Sequence, residues 1–342
     1  MDSTPLADGL RMPAEWARHD ATVMAWPARR VLWGDDYADA CDVHASVARA
    51  IAVHEPVTMV AAPADEAAAR RACGSTVEVV AIPIDDSWAR DSGPIVVVGR
   101  HGERAAVDFV FNGWGRKFAP WDEDDALAGR VAEHLGLPAY RAPFVLEGGS
   151  ITVDGEGTVI TTEQCLLHPN RNPQLTRAEI EDGLRAYLGV ERVIWIPFGL
   201  ADDDDTDGHV DNVACFVEPG VVMVQGCDDV SATDHDRLVI NRRCLDGARD
   251  AAGRRLEVVE VPVLPRATVG RGDRPVPYLN FYVANGAVVV PVAGHPADDK
   301  MLEIIGDSYQ GRDVVPVPGA VLAHGGGGVH CITQQVPSIT SP

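Results

Sequence analysis

The chain has 342 residues, 46% hydrophobic and 23% charged, an ordinary balance for a folded globular protein. Its formal net charge of −22 argues against a nucleic-acid or anionic-membrane partner, since both demand a basic face, and suits a cationic ligand instead. No stretch approaches the roughly 20 apolar residues of a membrane span, and the N-terminal MDSTPLADGLRMPAEW lacks the basic start and apolar core of a secretory signal, so a cytoplasmic location is expected.

The predicted elements form a repeat. A helix over 39–54 or 65–73 precedes the apolar run VVAIP at 79–83, and a helix over 122–135 precedes AYRAP at 139–143. A helix over 177–188 precedes VIWIP at 193–197, one over 236–252 precedes VVEVP at 258–262, and one over 297–309 precedes VVPVP at 314–318. Each run closes on a proline, and these prolines are 54 to 65 residues apart. So regular a period marks a repeated supersecondary unit. Hairpin signals follow: SITVDGEGTVITTE turns at Asp154-Gly155, ACFVEPGVVMVQ at Pro219-Gly220 and YVANGAVVVPVA at Asn285-Gly286. Five such units closed in a ring give a propeller-like α/β domain; the rival is an ordinary α/β sheet with coincidental prolines. No low-complexity break interrupts the pattern, so residues 1–342 are read as a single domain.

The unusual residues fall soon after the proline runs, where a ring would bring its loops to one end of the axis. IDDSWARDSGP follows Pro83, FVLEGGS follows Pro143, FGLADDDDTDGHVDN follows Pro197 and GAVLAHGGGGVHC follows Pro318. The seven cysteines include no CxxC pair, so neither a disulfide framework nor a zinc ribbon is indicated. Most sit in apolar periodic stretches and read as buried small hydrophobes. Cys331 differs, because it follows Gly325 to Gly328 and His330; a thiol after such a turn is either a nucleophile or a core group near the chain end. His330 is set aside as its partner, on the expectation that neighbours in a strand face opposite ways.

His209 and Asp211 are two apart at the opening of an apolar strand and are expected to share a face, which suits general acid–base work. A metal half-site with a ligand from 202–205, or a structural hydrogen bond, remains open. In DDSWARDSGP, Trp88 with Asp85, Asp86 or Asp91 offers an indole face and carboxylates for a flat cation, unless Arg90 neutralises an aspartate and Trp88 is a core anchor. Glu147 precedes two glycines and follows Val145 and Leu146, so it is either held inward or solvated. One thiol, one histidine and several carboxylates together describe a site for a guanidinium: carboxylates grip its N–H groups while a thiolate attacks its carbon. Neither a metal nor another cofactor is required.

The segments MPAEWARHDATVMAWP, DDSWARDSGP, FNGWG with WDEDD, LEGGSITVDGEGT, TDGHVDN and GGVHCITQQVP run in order from residue 12 to 337. In that set the chain resembles the agmatine deiminases and the wider group that includes bacterial peptidylarginine deiminases. The resemblance implies a five-bladed α/β propeller, the pentein fold, with pseudo-fivefold ββαβ repeats. It implies that Cys331 is a nucleophile forming a covalent amidino-thioether and that His209 is the general acid and base. By the same match Asp91 and Asp211 hold the guanidinium, Glu147 binds or orients it, and Trp88 lines the pocket. The substrate is then a small guanidino cation, agmatine first, and the sequence leaves a homo-oligomer open.

The chain departs from the family pattern at Gly328, where an asparagine is usual, and in the acidic ADDDD ahead of TDGHVDN. Asp205 is the expected seat of the distal ammonium, because 202–205 place negative charge just before His209, and Asp86 is expected to bind the substrate together with Trp88. The competing readings are a peptidylarginine deiminase, an amidinotransferase and a polyamine-binding module. The last has no need of both Cys331 and His209. A cysteine peptidase is disfavoured, because carboxylates suit an oxyanion poorly.

Overall fold

The computed structural model describes residues 3–269 and 272–339. Five sheets carry the repeat, each with an antiparallel pair and a third strand added in parallel through a helical crossover. Ile95–Gly99 and Arg104–Val110 form one such pair, and Ala139–Val145 joins the second strand in parallel. Ile151–Val153, Thr158–Thr162 and Arg192–Ile196 repeat the pattern. So do Ala214–Glu218, Val221–Gln225 and Glu257–Val261, and then Tyr282–Val283, Ala287–Val292 and Asp313–Pro318. The ring closes where Thr333–Pro337 pairs antiparallel with His19–Ala25, so the two ends of the chain share a sheet.

The proline runs thus mark the outermost parallel strand of each blade. Four of the prolines sit at or just past the strand end, where a missing N–H costs no ladder bond, while Pro143 lies inside Ala139–Val145, where the register against Arg104–Val110 shifts. The crossover helices follow the expected positions. Arg177–Leu188 matches it residue for residue because both ends are signalled locally: Thr176 and Glu179 form a capping box, and Gly189 closes the helix in the left-handed region. The helix expected over 236–252 is instead Thr233–Asp246, since 249–255 leave the helical path for a turn held by Asp250 on the Arg254 N–H.

The either-or ahead of the first proline run resolves as both helices, Tyr37–Ala52 and Glu66–Cys73. An unexpected strand, Val57–Ala61, lies between them, paired in parallel on either side. It is buried throughout, so it has no polar alternation to announce it. A second addition is the hairpin Arg266–Val269 and Gly272–Pro275, which packs on helix Ala320–His324. Apolar residues of sheets and helices fill the layer between them around the ring. No helix among the described residues is long and apolar enough to cross a membrane.

Candidate active site

Cys331 lies in the turn ahead of Thr333–Pro337 rather than in a strand, and it is buried. Its Sγ is 3.2 Å from Asn280 Nδ2 and 3.5 Å from Asp211 Oδ2. Asn280 Oδ1 accepts the backbone N–H of His330 at 3.0 Å and of Cys331 at 3.4 Å, so one amide pins both the turn and the thiol. The glycines are required by close approach. A Cβ on Gly325 would fall 2.2 Å from the Trp33 ring, and one on Gly327 2.4 Å from Trp88. One on Gly328 would fall 2.4 Å from Asn280 Oδ1, so Asn280 occupies the space that a side chain at 328 would enter.

The turn also changes the standing of His330. Its Nδ1 is 3.0 Å from Asp211 Oδ2 and its Nε2 2.9 Å from Glu15 Oε1, so it backs the same carboxylate that the Cys331 thiol meets. Arg90 turns away from the aspartates beside it. It donates to Gln335 Oε1 at 2.7 Å and lies 3.3 Å from Glu15 Oε1, which corrects the expectation of a local Arg90–Asp pair.

His209 caps the short 3-10 turn Val210–Asn212, so no strand alternation relates it to Asp211. What joins them is Gly149, whose absent side chain leaves room for three groups. A Cβ there would fall 2.6 Å from His209 Nδ1, 2.9 Å from Asp211 Oδ2 and 3.0 Å from Asp91 Oδ1. The neighbouring Gly148 is needed too, because its Cβ would meet the Arg90 carbonyl at 2.2 Å. Asp91 accepts the Trp114 indole N–H at 2.9 Å and the Gly149 N–H at 2.9 Å, and its Oδ1 lies 3.8 Å from His209 Nδ1. Glu147 is held inward, as one of its two readings required: Arg171 Nε donates to it at 2.6 Å and neither side chain has any exposure.

A pocket opens at this end of the ring, lined by Trp88, Asp91, Trp114, Phe118, Asp205 and Cys331 among others. Asp86 is on its wall, but Arg29 Nε meets its Oδ2 at 2.6 Å and the Ser87 N–H its Oδ1, so its charge is already matched. His209, Asp211 and Glu147 do not line the pocket and are reached through Asp91 and Cys331. The acidic run divides its work. Asp202 meets Arg266, Asp203 accepts the His209 N–H, Asp204 is exposed and Asp205 faces the pocket.

Sequence reading passed over Asn280, Arg171 and Arg274, the last set near Asp205 by the added hairpin, and these had no signal beyond their polar type. Trp114 had a signal in the FNGWG segment, and His330, set aside as a strand neighbour, had one in its place beside Cys331 in GGVHC.

A sequence model described as the Porphyromonas-type peptidyl-arginine deiminase family matches residues 11–337. The agmatine deiminase of Stutzerimonas stutzeri is 42% identical, over 99% of this chain and 98% of its own length. The chain belongs to that family, among the agmatine deiminases. The structure of the agmatine deiminase of Enterococcus faecalis superposes with a TM-score of 0.96 at 35% identity, covering 99% of both chains. An amidinotransferase from Microseira wollei, 13% identical with a TM-score of 0.57, shares the fold alone.

The electrostatics of this deiminase site oppose each other. Burial, then Asp211 and Asp91, push the Cys331 thiol well above its usual range, against smaller pulls from the Gly328 backbone and Asn280. Burial alone would push His209 down, but Asp91, then Cys165 and Asp211, carry it well above its usual value. Both shifts favour the protonated form, a thiol at Cys331 and an imidazolium at His209.

Glu147, Cys165 and His209 each bring one donor atom within 4.8 Å of the others, all buried. Motif spacing gave no hint of this group. Arg171 already occupies Glu147, so a divalent ion would enter beside a buried guanidinium, and the donor set does not suit one. Turnover is expected to survive exhaustive chelation; loss of activity restored by one divalent ion would overturn that.

Proposed function

We propose that the enzyme hydrolyses agmatine to N-carbamoylputrescine and ammonia through a covalent intermediate on Cys331. The observation that carries this reading is the Cys331 Sγ, 3.5 Å from Asp211 Oδ2 on the floor of a pocket walled by Trp88, Trp114 and Asp91. The guanidinium lies between the indoles, its N–H groups on Asp91 and Asp211, with its carbon facing the sulfur. A cation in that position offsets the two carboxylates that hold the thiol protonated, so the substrate itself favours the thiolate, the thiol proton leaving to solvent.

The thiolate attacks the guanidinium carbon, and His209 passes its proton to the departing amino group, which leaves as ammonia. The alkylated amidino carbon remains on Cys331. His209, now neutral, takes a proton from water; hydroxide adds to the carbon, and collapse releases the ureido product as the hydroxyl proton passes to the departing Cys331 sulfur. Glu147, locked by Arg171, has a carboxylate oxygen within 4.8 Å of a His209 ring nitrogen and supplies negative charge that favours the imidazolium. Incubation with agmatine should release ammonia and N-carbamoylputrescine in equal amounts; a panel of guanidino compounds with no ureido product from any of them would sink the reading.

The same electrostatics set reagent preference and pH dependence. With the resting thiol raised, neutral iodoacetamide should alkylate Cys331 slowly near neutral pH and faster as pH rises. A cationic haloacetamidine should react at least about tenfold faster at neutral pH, because it brings the missing positive charge. kcat/KM should rise with pH as thiolate forms and fall once His209 loses its proton, giving an optimum on the alkaline side. Equal rates with the two reagents would remove the substrate-assisted step.

A further inference from the structure

We infer that Cys165, a thiol outside the reacting set, is a positioning residue for His209; this rests on the acid–base role given to His209 above. Both ring nitrogens of His209 are buried without a hydrogen-bond partner among the described residues, and so is Glu147 Oε2. Such groups are rarely left unmatched at a site that must hold one geometry. Cys165 Sγ is the third member of this cluster, within 4.8 Å of a donor atom on each of the others. It has no exposure and does not line the substrate pocket, so it is not a second nucleophile.

The backbone around Cys165 is tied to the loop that carries His209. Thr162 caps the short helix Glu163–Leu166 by accepting the Cys165 N–H at 3.2 Å, and its hydroxyl donates to the Gly208 carbonyl at 2.6 Å. Gly208, at φ +91°, lies against the Gln164 side chain, where a Cβ would fall 2.9 Å from Gln164 Cδ. A single turn therefore seats the residue before His209 and presents the thiol to the ring. Asp91, which lines the substrate pocket, and Asp211 face the imidazole across the gap at Gly149. Glu147, backed by Arg171, shares the inner cluster with Cys165, and Asp203 holds the His209 backbone N–H. A polarisable thiol there accepts or donates weakly as the ring gains and loses its proton, without the fixed charge of a second carboxylate.

The test pairs Cys165→Ala with Cys165→Ser. Removing the thiol should lower kcat with agmatine on the order of tenfold, a part of the about 10²–10⁴-fold that a positioned acid–base supplies, with KM within about twofold. The alkaline limb of the rate profile should move to lower pH, because the imidazolium loses the nearby thiol that helps it keep its proton. Serine, which keeps a small polar group, should restore most of kcat. Imidazole ¹⁵N NMR of the substrate-free protein, with His209→Gln as the assignment control, should show the same downward move of the His209 titration in the alanine variant. That readout does not depend on which guanidino compound is the substrate. An unchanged His209 titration in folded Cys165→Ala, or a loss of kcat that serine does not relieve, would overturn the proposal.

Discussion

Replacing Cys331 with alanine should lower turnover of agmatine by at least about 10⁴-fold, since removing the nucleophile of a covalent mechanism leaves only binding and electrostatics. The fold should persist. Asn280 Oδ1 still holds the backbone N–H groups of His330 and Cys331, and the packing of Gly325 and Gly327 on Trp33 and Trp88 does not involve the sulfur. Binding should persist as well, because Asp91 and Asp211 remain and removing a protonated thiol changes no charge in the resting site. Calorimetry on the alanine variant should therefore show agmatine binding with no ammonia released. Acid-quenched wild-type enzyme should carry, on the Cys331 peptide, the mass of the substrate less ammonia. Near wild-type ammonia release by the variant would end the covalent mechanism.

The parts of this molecule legible in its sequence were those encoded locally. Five apolar runs ending in proline marked the parallel strand of each blade, and the capping box at Thr176 with Gly189 fixed a helix at both ends. The strand Val57–Ala61 was not legible, since a strand buried on both faces looks like any apolar run. In the site, His209 and Asp211 do lie together, yet for a different reason from the one their spacing suggested: a 3-10 turn and the gap at Gly149 bring them together, not a shared strand face. Asn280 and Arg171 were invisible because each acts on a group far along the chain, Cys331 in one case and Glu147 in the other. Asp86 was overvalued because its partner Arg29 lies 57 residues away.

Agmatine should exceed free arginine in kcat/KM by at least about a hundredfold at fixed ionic strength. The two molecules share the guanidinium and differ by a carboxylate beside the distal nitrogen. Arginine's carboxylate would enter a pocket walled by Asp91 and Asp205, with Asp86 already matched by Arg29, and an unmatched charge there is costly while like-charge repulsion is an effective source of rejection. The cations nearby are committed elsewhere. Arg29 is on Asp86, Arg171 is on Glu147, and Lys117 is 2.6 Å from Asp207. Arg274 is the exception to weigh, since it acts on Asp205 from the added hairpin, but it lines the neighbouring groove and not the substrate pocket. Burial and Asp203 push the Asp205 carboxyl up, while Arg274 and Lys117 pull it down, so an incoming ammonium would act in the same sense as those cations and favour the carboxylate. Asp205→Asn should then cost agmatine about 1.5–3 kcal/mol, the usual value of a hydrogen bond to a charged group, or about ten- to a hundredfold in kcat/KM. The same change should leave arginine nearly unaffected and so narrow the ratio. Arg274→Ala should leave the preference for agmatine in place. Parity between the two substrates in the wild-type enzyme, or a preference for arginine, would move the protein to the arginine or peptidylarginine branch; an Asp205→Asn variant with unchanged discrimination would place the distal ammonium elsewhere.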